Sequence, residues 1–423
     1  MYKIESVQID GFWHRFDAQC SFKPDVNIII GKNGTGKTTF MNILHAVLTV
    51  DNSELVENEF SLVKISLSEG RSKKTVRVTK KENDRYPFPV AEYQISRKKQ
   101  LIRLLGSDNK SMPPTMRRRV YEESLEVRKE LDSLVSVSSL SVYRLRNDDE
   151  YEVRDRYGSR MISPVDYRLN QALQGLTQFR LRLAQEAEKV SAKLQKDVLA
   201  SILYGEEDAA EFNYGLGFNK NDEREHLVTA YKQLNSWDSE IEKKIRFHID
   251  SIEKTIQKIP TSPDDEKDLS IQEVDIKPLE ALRKTRRIID LSLEAKSQTQ
   301  EIYSHIDVFL DIIKDFVPEK SFEFRSGSLI IANNYGELEY TRLSSGEKQL
   351  IILLVEALLQ NQQTHVFLAD EPELSLHIAW QRKIIPAVRK INPNAQVIVA
   401  THSPEVASKY RDSILEMEEL VHG

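Results

Sequence analysis

Gly31-Lys32-Asn33-Gly34-Thr35-Gly36-Lys37-Thr38 stands between an apolar run of strand length, Val26-Asn27-Ile28-Ile29-Ile30, and a stretch with helical spacing, Thr39-Phe40-Met41-Asn42-Ile43-Leu44-His45. Strand, glycine loop and helix in that order form the context in which G-x-x-x-x-G-K-T reads as a phosphate-binding loop. The glycines let backbone N–H groups turn inward around phosphate oxygens, and the helix that follows points its positive end at them. On this reading Asn33, Gly34, Thr35, Gly36, Lys37, Thr38 and Thr39 cradle the phosphates of a nucleotide. Lys37 reaches the β- and γ-phosphates, and the Thr38 hydroxyl ligates Mg²⁺.

The complementary motifs lie at the other end of the chain. His365-Val366-Phe367-Leu368-Ala369-Asp370-Glu371-Pro372 is an apolar strand ending in two carboxylates. Asp370 suits Mg²⁺, directly or through water, and Glu371 can orient and polarise an attacking water. A second apolar strand, Val397-Ile398-Val399-Ala400, runs into Thr401-His402-Ser403-Pro404, where a histidine can sense the γ-phosphate. Upstream, Leu343-Ser344-Ser345-Gly346-Glu347-Lys348-Gln349 is a serine-glycine turn opening a strongly apolar helix, Leu350 to Leu359. Serine hydroxyls and helix-end N–H groups make an anion site there as well. Since Lys37 already marks one phosphate site, this second one makes sense where it completes the site of another subunit.

These four motifs, in this order, resemble the ABC-type ATPases and more closely their non-transporter branch, which includes the SMC, RecF and OLD families. Glu371-Pro372-Glu373-Leu374-Ser375-Leu376-His377, followed by Ala400-Thr401-His402-Ser403-Pro404, looks like the OLD and RecF side. Ser345 stands where ABC transporters carry glycine, which argues against a transporter subunit. The resemblance implies an α/β P-loop head, a mixed sheet with an antiparallel flanking sheet, built from both chain ends. ATP and Mg²⁺ would lie between Lys37 and Thr38 of one head and Ser344, Ser345, Gly346 and Glu347 of another. Glu371 and His402 would serve hydrolysis, and Thr38 and Asp370 the metal. The resemblance further implies that His377 belongs to a segment crossing the head-to-head interface, although a solvent-facing helix start reads equally well. It also implies a glutamine coupling nucleotide to an inserted domain, for which Gln94, Gln171 and Gln178 are equal candidates.

Composition is consistent with this. At 423 residues the chain has room for two or three structural units and a large core. Hydrophobic residues at 40% and charged residues at 30% favour long exposed helices over a membrane-embedded chain. No apolar run approaches the roughly 20 residues that span a bilayer. The amino terminus enters a strand pattern directly rather than a leader, and the single cysteine, Cys20, suits a reducing, cytoplasmic setting. A net charge of −6 opposes wholesale polyanion binding but allows a local basic groove.

Residues 1–165 read as the first part of the head, 166–317 as an inserted helical or short coiled-coil domain, and 318–423 as the rest of the head. Val63, Ile65 and Leu67 alternate on a strand whose return strand is Thr75-Val76-Arg77-Val78. Residues 86–114, with four prolines and the basic cluster Arg97-Lys98-Lys99, read as irregular. A short helix at Arg117 to Leu134 and a strand at Ser138 to Arg144 follow. In the insert, Leu169, Leu173, Leu176, Leu183, Ala187, Val190 and Leu194 repeat at three- and four-residue steps, predicting a helix to Ile202. Gly205 to Asp222 breaks it. A second long helix carries Leu234, Ile241, Ile245, Ile252, Ile256 and Ile259 and ends at Pro260 to Asp265. A third begins near Pro278. A helix of about 35 residues spans only about 50 Å, so a compact hairpin or bundle is predicted, not a chromosome-scale arm.

The sequence ends about twenty residues after His402, so a nuclease-like effector activity is expected from a separate chain. Heads of this size with a short helical insert look like the ATPase subunits of anti-phage systems such as PARIS (AriA) and Septu (PtuA). The alternative is a RecF- or SMC-like DNA-binding ATPase in repair or clamping. For that, Arg71, Lys73, Lys74, Arg77, Lys80, Lys81 and Arg117-Arg118-Arg119 would supply the basic groove.

Overall fold

The computed structural model describes residues 1–81, 89–105, 114–141, 151–155, 158–202, 218–233, 237–257 and 277–423. From the amino terminus, β1 (Lys3–Phe12) and β2 (Phe16–Ser21) form a hairpin. Then β3 (Val26–Ile30) leads through the glycine loop into α1 (Lys37–Thr49) and α2 (Asn52–Glu57). An antiparallel meander follows, β4 (Leu62–Glu69), β5 (Ser72–Lys81), β6 (Val90–Ile95) and β7 (Lys98–Arg103). Next come α3 (Pro114–Leu134), β8 (Val137–Ser141), and the hairpin of β9 (Tyr151–Asp155) and β10 (Gly158–Ile162). Four helices succeed it, α4 (Pro164–Ile202), α5 (Lys220–Gln233), α6 (Ser239–Ile256) and α7 (Lys277–Phe316). The chain then forms β11 (Ser321–Arg325), β12 (Ser328–Asn333), β13 (Gly336–Leu338), α8 (Ser345–Leu359) and β14 (His365–Asp370). It finishes with α9 (Ile378–Ile391), β15 (Ala395–Ala400), α10 (Pro404–Ala407), β16 (Ile414–Glu416), α11 (Met417–Leu420) and β17 (Val421–His422).

These strands assort into two principal sheets. One is wholly parallel, in the order β16-β3-β15-β14-β8; the other is antiparallel, in the order β17-β2-β1-β4-β5-β6-β7. The parallel and antiparallel parts are therefore segregated into separate sheets rather than mixed within one. Every residue of β14 and β15 is buried, as expected of parallel strands covered on both faces. In the antiparallel sheet only alternate residues turn inward, and Val63, Ile65 and Leu67 are fully buried. Helix α1 lies in the core between the two, with Phe40, Ile43, Leu44 and Val47 in one cluster with Ile65, Tyr93, Leu368 and Ile398.

Polar residues in this core are there to make specific bonds. Asn27, inside β3, accepts from Lys23 N at 2.7 Å and donates to Lys23 O at 2.9 Å. Gln396, fully buried on β15, links the sheets. Its Oε1 accepts from Ile4 N at 2.8 Å, and its Nε2 donates to Ile4 O at 2.7 Å and Lys23 O at 2.8 Å.

The described residues divide into two compact units, residues 1–179 with 305–423, and residues 180–304. The start of α4 and the end of α7 belong to the first unit. In the second, α5, α6 and α7 share a small core of Leu227, Ala230, Ile245, Ile249 and Ile289, with Ile252, Leu279 and Leu282 in a neighbouring cluster. Arg286 pairs with Glu223 at 2.6 Å, and Lys220 bridges Asp250 and Glu253. This is packing of a bundle. Among the described residues no helix is long and apolar enough to cross a membrane.

Two local expectations change. The stretch read as irregular contains the β6–β7 hairpin, closed by the two-residue turn Ser96-Arg97 with Ser96 at φ 56°. Pro89 and Pro114 flank the hairpin and do not interrupt it, and Pro114 opens α3, where a missing N–H costs nothing; residues 106–113 lie outside the described residues. The helix read as continuous through Leu234 is two helices, because Asp238 caps α6, its carboxylate accepting from Glu240 N and Ile241 N. Leu234, Ile259, the Pro260 to Asp265 segment, most of the Gly205 to Asp222 break and residues 142–144 of the expected strand also lie outside the described residues.

Removing the Gln396 amide leaves Ile4 with a buried N–H and C=O unpaired. Gln396→Ala should therefore cost about 2–4 kcal/mol, read as a lowered urea midpoint. An unchanged midpoint would show that this link does not hold the sheets.

Candidate nucleotide site

The glycine loop leaves β3 and enters α1 through two left-handed residues, Gly34 at φ 81° and Gly36 at φ 96°. At Gly36 the requirement is double, since a Cβ there would also stand 2.8 Å from the Phe12 ring and 3.0 Å from Trp13. Gly36 brings no side-chain cap to α1, so the first N–H groups of the helix remain available to an anion. Thr35 Oγ1 donates to Lys32 O at 2.9 Å, closing the loop on itself, and Glu418 of α11 accepts from Lys32 N at 2.9 Å. Lys37 is buried, and its Nζ donates to Gly31 O at 3.0 Å, to Lys32 O at 3.1 Å and to His402 Nε2 at 2.7 Å. Burial lowers the Lys37 pKa, against the opposing pull of Glu371, Asp370, Glu418 and Glu373.

Asp370 is the last residue of β14 and is buried. Glu371 follows at φ 50°, a left-handed conformation that side-chain-bearing residues adopt at a cost and that recurs at functional sites. Its N–H donates to Ala400 O at 2.8 Å, continuing the ladder between β14 and β15 one residue past the strand. Burial, then hydrogen bonding and charge from Glu373, push the Glu371 carboxyl up to about 8, with the His402 N–H pulling the other way. His402 Nε2 lies 3.5 Å from Glu371 Oε1. Since the Lys37 ammonium can only donate, His402 Nε2 is the acceptor, and the imidazole proton sits on Nδ1. Burial and the Lys37 charge lower the His402 pKa, which keeps that lone pair free.

Lys37, Thr38, Thr39, Asn33, Gly34 and Gly36 thus line one hollow of about 550 Å³ together with Glu371, His402, Leu374 and Trp13. A second, wider hollow of about 1030 Å³ is lined by Lys32, Arg382, Ser403, Arg411 and Glu418, and His402 lines both. The Thr38 hydroxyl and Asp370 carboxylate are hard oxygen donors of the kind Mg²⁺ takes, one or two at a time, with phosphate oxygens and water filling its shell.

The serine-glycine turn is not part of this hollow within one chain. Ser344 and Glu347 form a capping box at the start of α8, with Ser344 Oγ accepting from Glu347 N at 3.3 Å and Glu347 Oε2 from Ser344 N at 2.9 Å. Lys320 also pairs with Glu347, so that carboxylate has structural work in its own chain. A Cβ on Gly346 would stand 2.4 Å from Ser375 O, and Gln349 Nε2 donates to Pro372 O at 3.1 Å. The turn is therefore docked on the loop that follows Glu371. His377 caps α9, its Nδ1 accepting from Ala379 N at 3.3 Å. Gln94 is on β6 and Gln171 and Gln178 on α4, and none of the three lines the hollow.

The motifs assign no role to Glu373, and none of them includes Trp13 or Glu418. Glu373 had a signal, a second carboxylate two residues past Glu371. Trp13 and Glu418 had none, because their proximity to the loop is created by the β1–β2 turn and by the carboxy-terminal strands.

A carboxyl raised from 4.5 to about 8 favours folding in its protonated form, so its contribution is full below about pH 4.5 and is lost as pH rises through 8. Glu371→Gln escapes that loss. Without nucleotide and in EDTA, its melting temperature should match wild type near about pH 5 and exceed it by about 2–5 °C near about pH 9. A pH-independent difference would contradict this.

A family profile described as AAA ATPase domain matches residues 2–407. Among curated proteins, the Retron Ec83 probable ATPase of Escherichia coli is 38% identical over 89 residues, 18% of this chain and 16% of that protein. Septu protein PtuA of Bacillus thuringiensis is 34% identical over 91 residues, 18% of this chain and 23% of PtuA. The aligned segments thus span less than a quarter of either relative. Among solved structures, the Smc head domain with an extended coiled coil bound to the C-terminal domain of ScpA, from Pyrococcus furiosus, is 14% identical with a TM-score of 0.44, covering 96% of this chain and 92% of that one. The SMC head domain from Thermotoga maritima is 11% identical with a TM-score of 0.39, covering 96% of this chain and 91% of that one. The profile match runs from the first strand to beyond His402, and on it the chain belongs to the AAA ATPase domain family.

Proposed function

We propose that this ATPase is a head-to-head switch whose ATP-bound and hydrolysed states control a separate effector chain in anti-phage defence. The observation that carries the hydrolytic part is the convergence of Lys37, Thr38, Glu371 and His402 on one hollow. Lys37 and the first amides of α1 hold the phosphates, and Glu371 orients the attacking water and takes its proton. His402, whose Nε2 accepts from Lys37, is placed to report the γ-phosphate once Lys37 turns to the phosphate and Nε2 takes up a proton to donate. Mg²⁺, held by Thr38 and Asp370, would supply charge neutralisation across the β- and γ-phosphates.

The dimeric part rests on α8. Its serine-glycine turn, which the motif resemblance assigns to phosphate binding, lies outside the hollow of its own chain. A second head supplying Ser344, Ser345 and Gly346 would complete the enclosure of the nucleotide. The defence role rests on the motif resemblance and on the similarity to a retron ATPase and to Septu PtuA. A nuclease-like partner is the effector class we favour. Of the basic residues named for the DNA-clamping alternative, Lys73, Lys81, Arg118 and Arg119 each pair with a glutamate, which weighs against that reading.

Lys37→Ala should reduce ATP binding by at least about 100-fold, and Glu371→Gln should bind ATP normally but hydrolyse it about 100-fold more slowly or worse, with the dimer accumulating in native mass spectra. Wild-type turnover by Glu371→Gln would defeat the assignment. Purified from its own locus with neighbouring genes intact, the protein should carry a stoichiometric second chain. A bare dimer that gathers only DNA, with salt-sensitive DNA-stimulated hydrolysis, would favour clamping.

A further inference from the structure

Glu373 is a buried carboxylate that the hydrolytic scheme leaves without a role. It is 6% exposed and sits beside Glu371, where a second carboxylate is unfavourable unless something binds it. What binds it is the segment after β15. Its Oε1 accepts from the Thr401 hydroxyl, from His402 N at 3.2 Å and from Ser403 N at 3.2 Å. The His402 N–H is shared, with Glu371 Oε2 at 3.3 Å on the same proton.

The place of these bonds matters more than their number. Thr401 N donates to Ile29 O at 3.0 Å, and that is the last rung tying this segment to β3. Past it, Glu373 holds the backbone at His402 and Ser403, with Ser403 N also donating to Thr401 Oγ1 at 2.9 Å, while Ser403 Oγ turns away to donate to Gln381 Oε1 at 2.7 Å. A cap for the short helix α10 would not need a buried charge, because Ser403 already caps it, accepting from Glu405 N. The Glu373 carboxylate is therefore spent on the backbone that aims the imidazole.

We propose that Glu373 is a positioning residue for hydrolysis: by holding the backbone of residues 401–403 it fixes the His402 imidazole against Lys37. The inference rests on the assignment of Glu371 and His402 to hydrolysis. It predicts that Glu373 acts through its acceptor oxygen and through His402, not through general stability.

The test is steady-state ATP hydrolysis and nucleotide binding by Glu373→Ala, Glu373→Asp and Glu373→Gln, each alone and combined with His402→Ala, with Glu371→Gln as reference. Glu373→Ala should lower kcat by roughly 10- to 100-fold with ATP affinity changed less than about 3-fold. Glu373→Asp keeps the charge but withdraws the oxygen by about 1.5 Å, and should fail similarly; it decides the matter if the alanine variant does not fold. Glu373→Gln keeps an acceptor oxygen and should recover most of kcat. In the His402→Ala background, loss of Glu373 should add little further. Wild-type kcat in the aspartate variant, a parallel loss of affinity and kcat, or full additivity with His402→Ala would each overturn the inference. A fully active Glu371→Gln would instead overturn the hydrolytic assignment beneath it.

Discussion

Strand β3 has no neighbour from its own half of the chain. In the parallel sheet it lies between β15 and β16, both formed after residue 394, and the loop it feeds is the glycine loop. The nucleotide site is thus not a local property of the glycine motif. Until β15 supplies the ladder on one edge and β16 on the other, the end of β3 has nothing to hold it, and Lys37 has no His402 to meet. Gln396 extends the same dependence to the antiparallel sheet, because it anchors Ile4 and Lys23 from the start of β15. Everything between can vary in length provided it returns the chain to the same place.

That constraint explains why the helical unit is tolerated. Helices α4 and α7 leave and re-enter the head as continuous helices, and α4 begins with ion pairs to α8, Lys348 with Asp166 at 2.7 Å and Arg168 with Glu356 at 2.7 Å. Helix α8 in turn bears on the loop after Glu371 through Gly346 and Gln349. A chain of direct contacts within the head therefore runs from the root of α4 to the loop after Glu371, a physical basis for coupling once two arrangements of these contacts are demonstrated.

Much of this was legible in the sequence, and the reason is physical. Motifs that bind phosphate are short and locally encoded, so the strand, the glycines at positive φ and the helix could be read from residues 26–45. Long amphipathic helices such as α4 and α7 announce themselves by periodicity. The β6–β7 hairpin was missed because its turn, Ser96-Arg97, lacks the glycine or asparagine that usually marks a left-handed turn residue. The gap before α6 was missed because one aspartate, Asp238, carries the whole signal. Glu373 was quoted but given no role, since its partners Thr401 to Ser403 are brought to it only by the pairing of β14 with β15.

The contact between Gly346 and Ser375 has a consequence for genetics. Any side chain at position 346 collides with the backbone of the loop after Glu371 in its own chain. On the head-to-head arrangement proposed above, such an allele would disturb the site of the subunit that carries it as well as the site it was meant to report on. Complementation between a Gly346 allele and a Lys37 allele would then fail for reasons internal to one polypeptide.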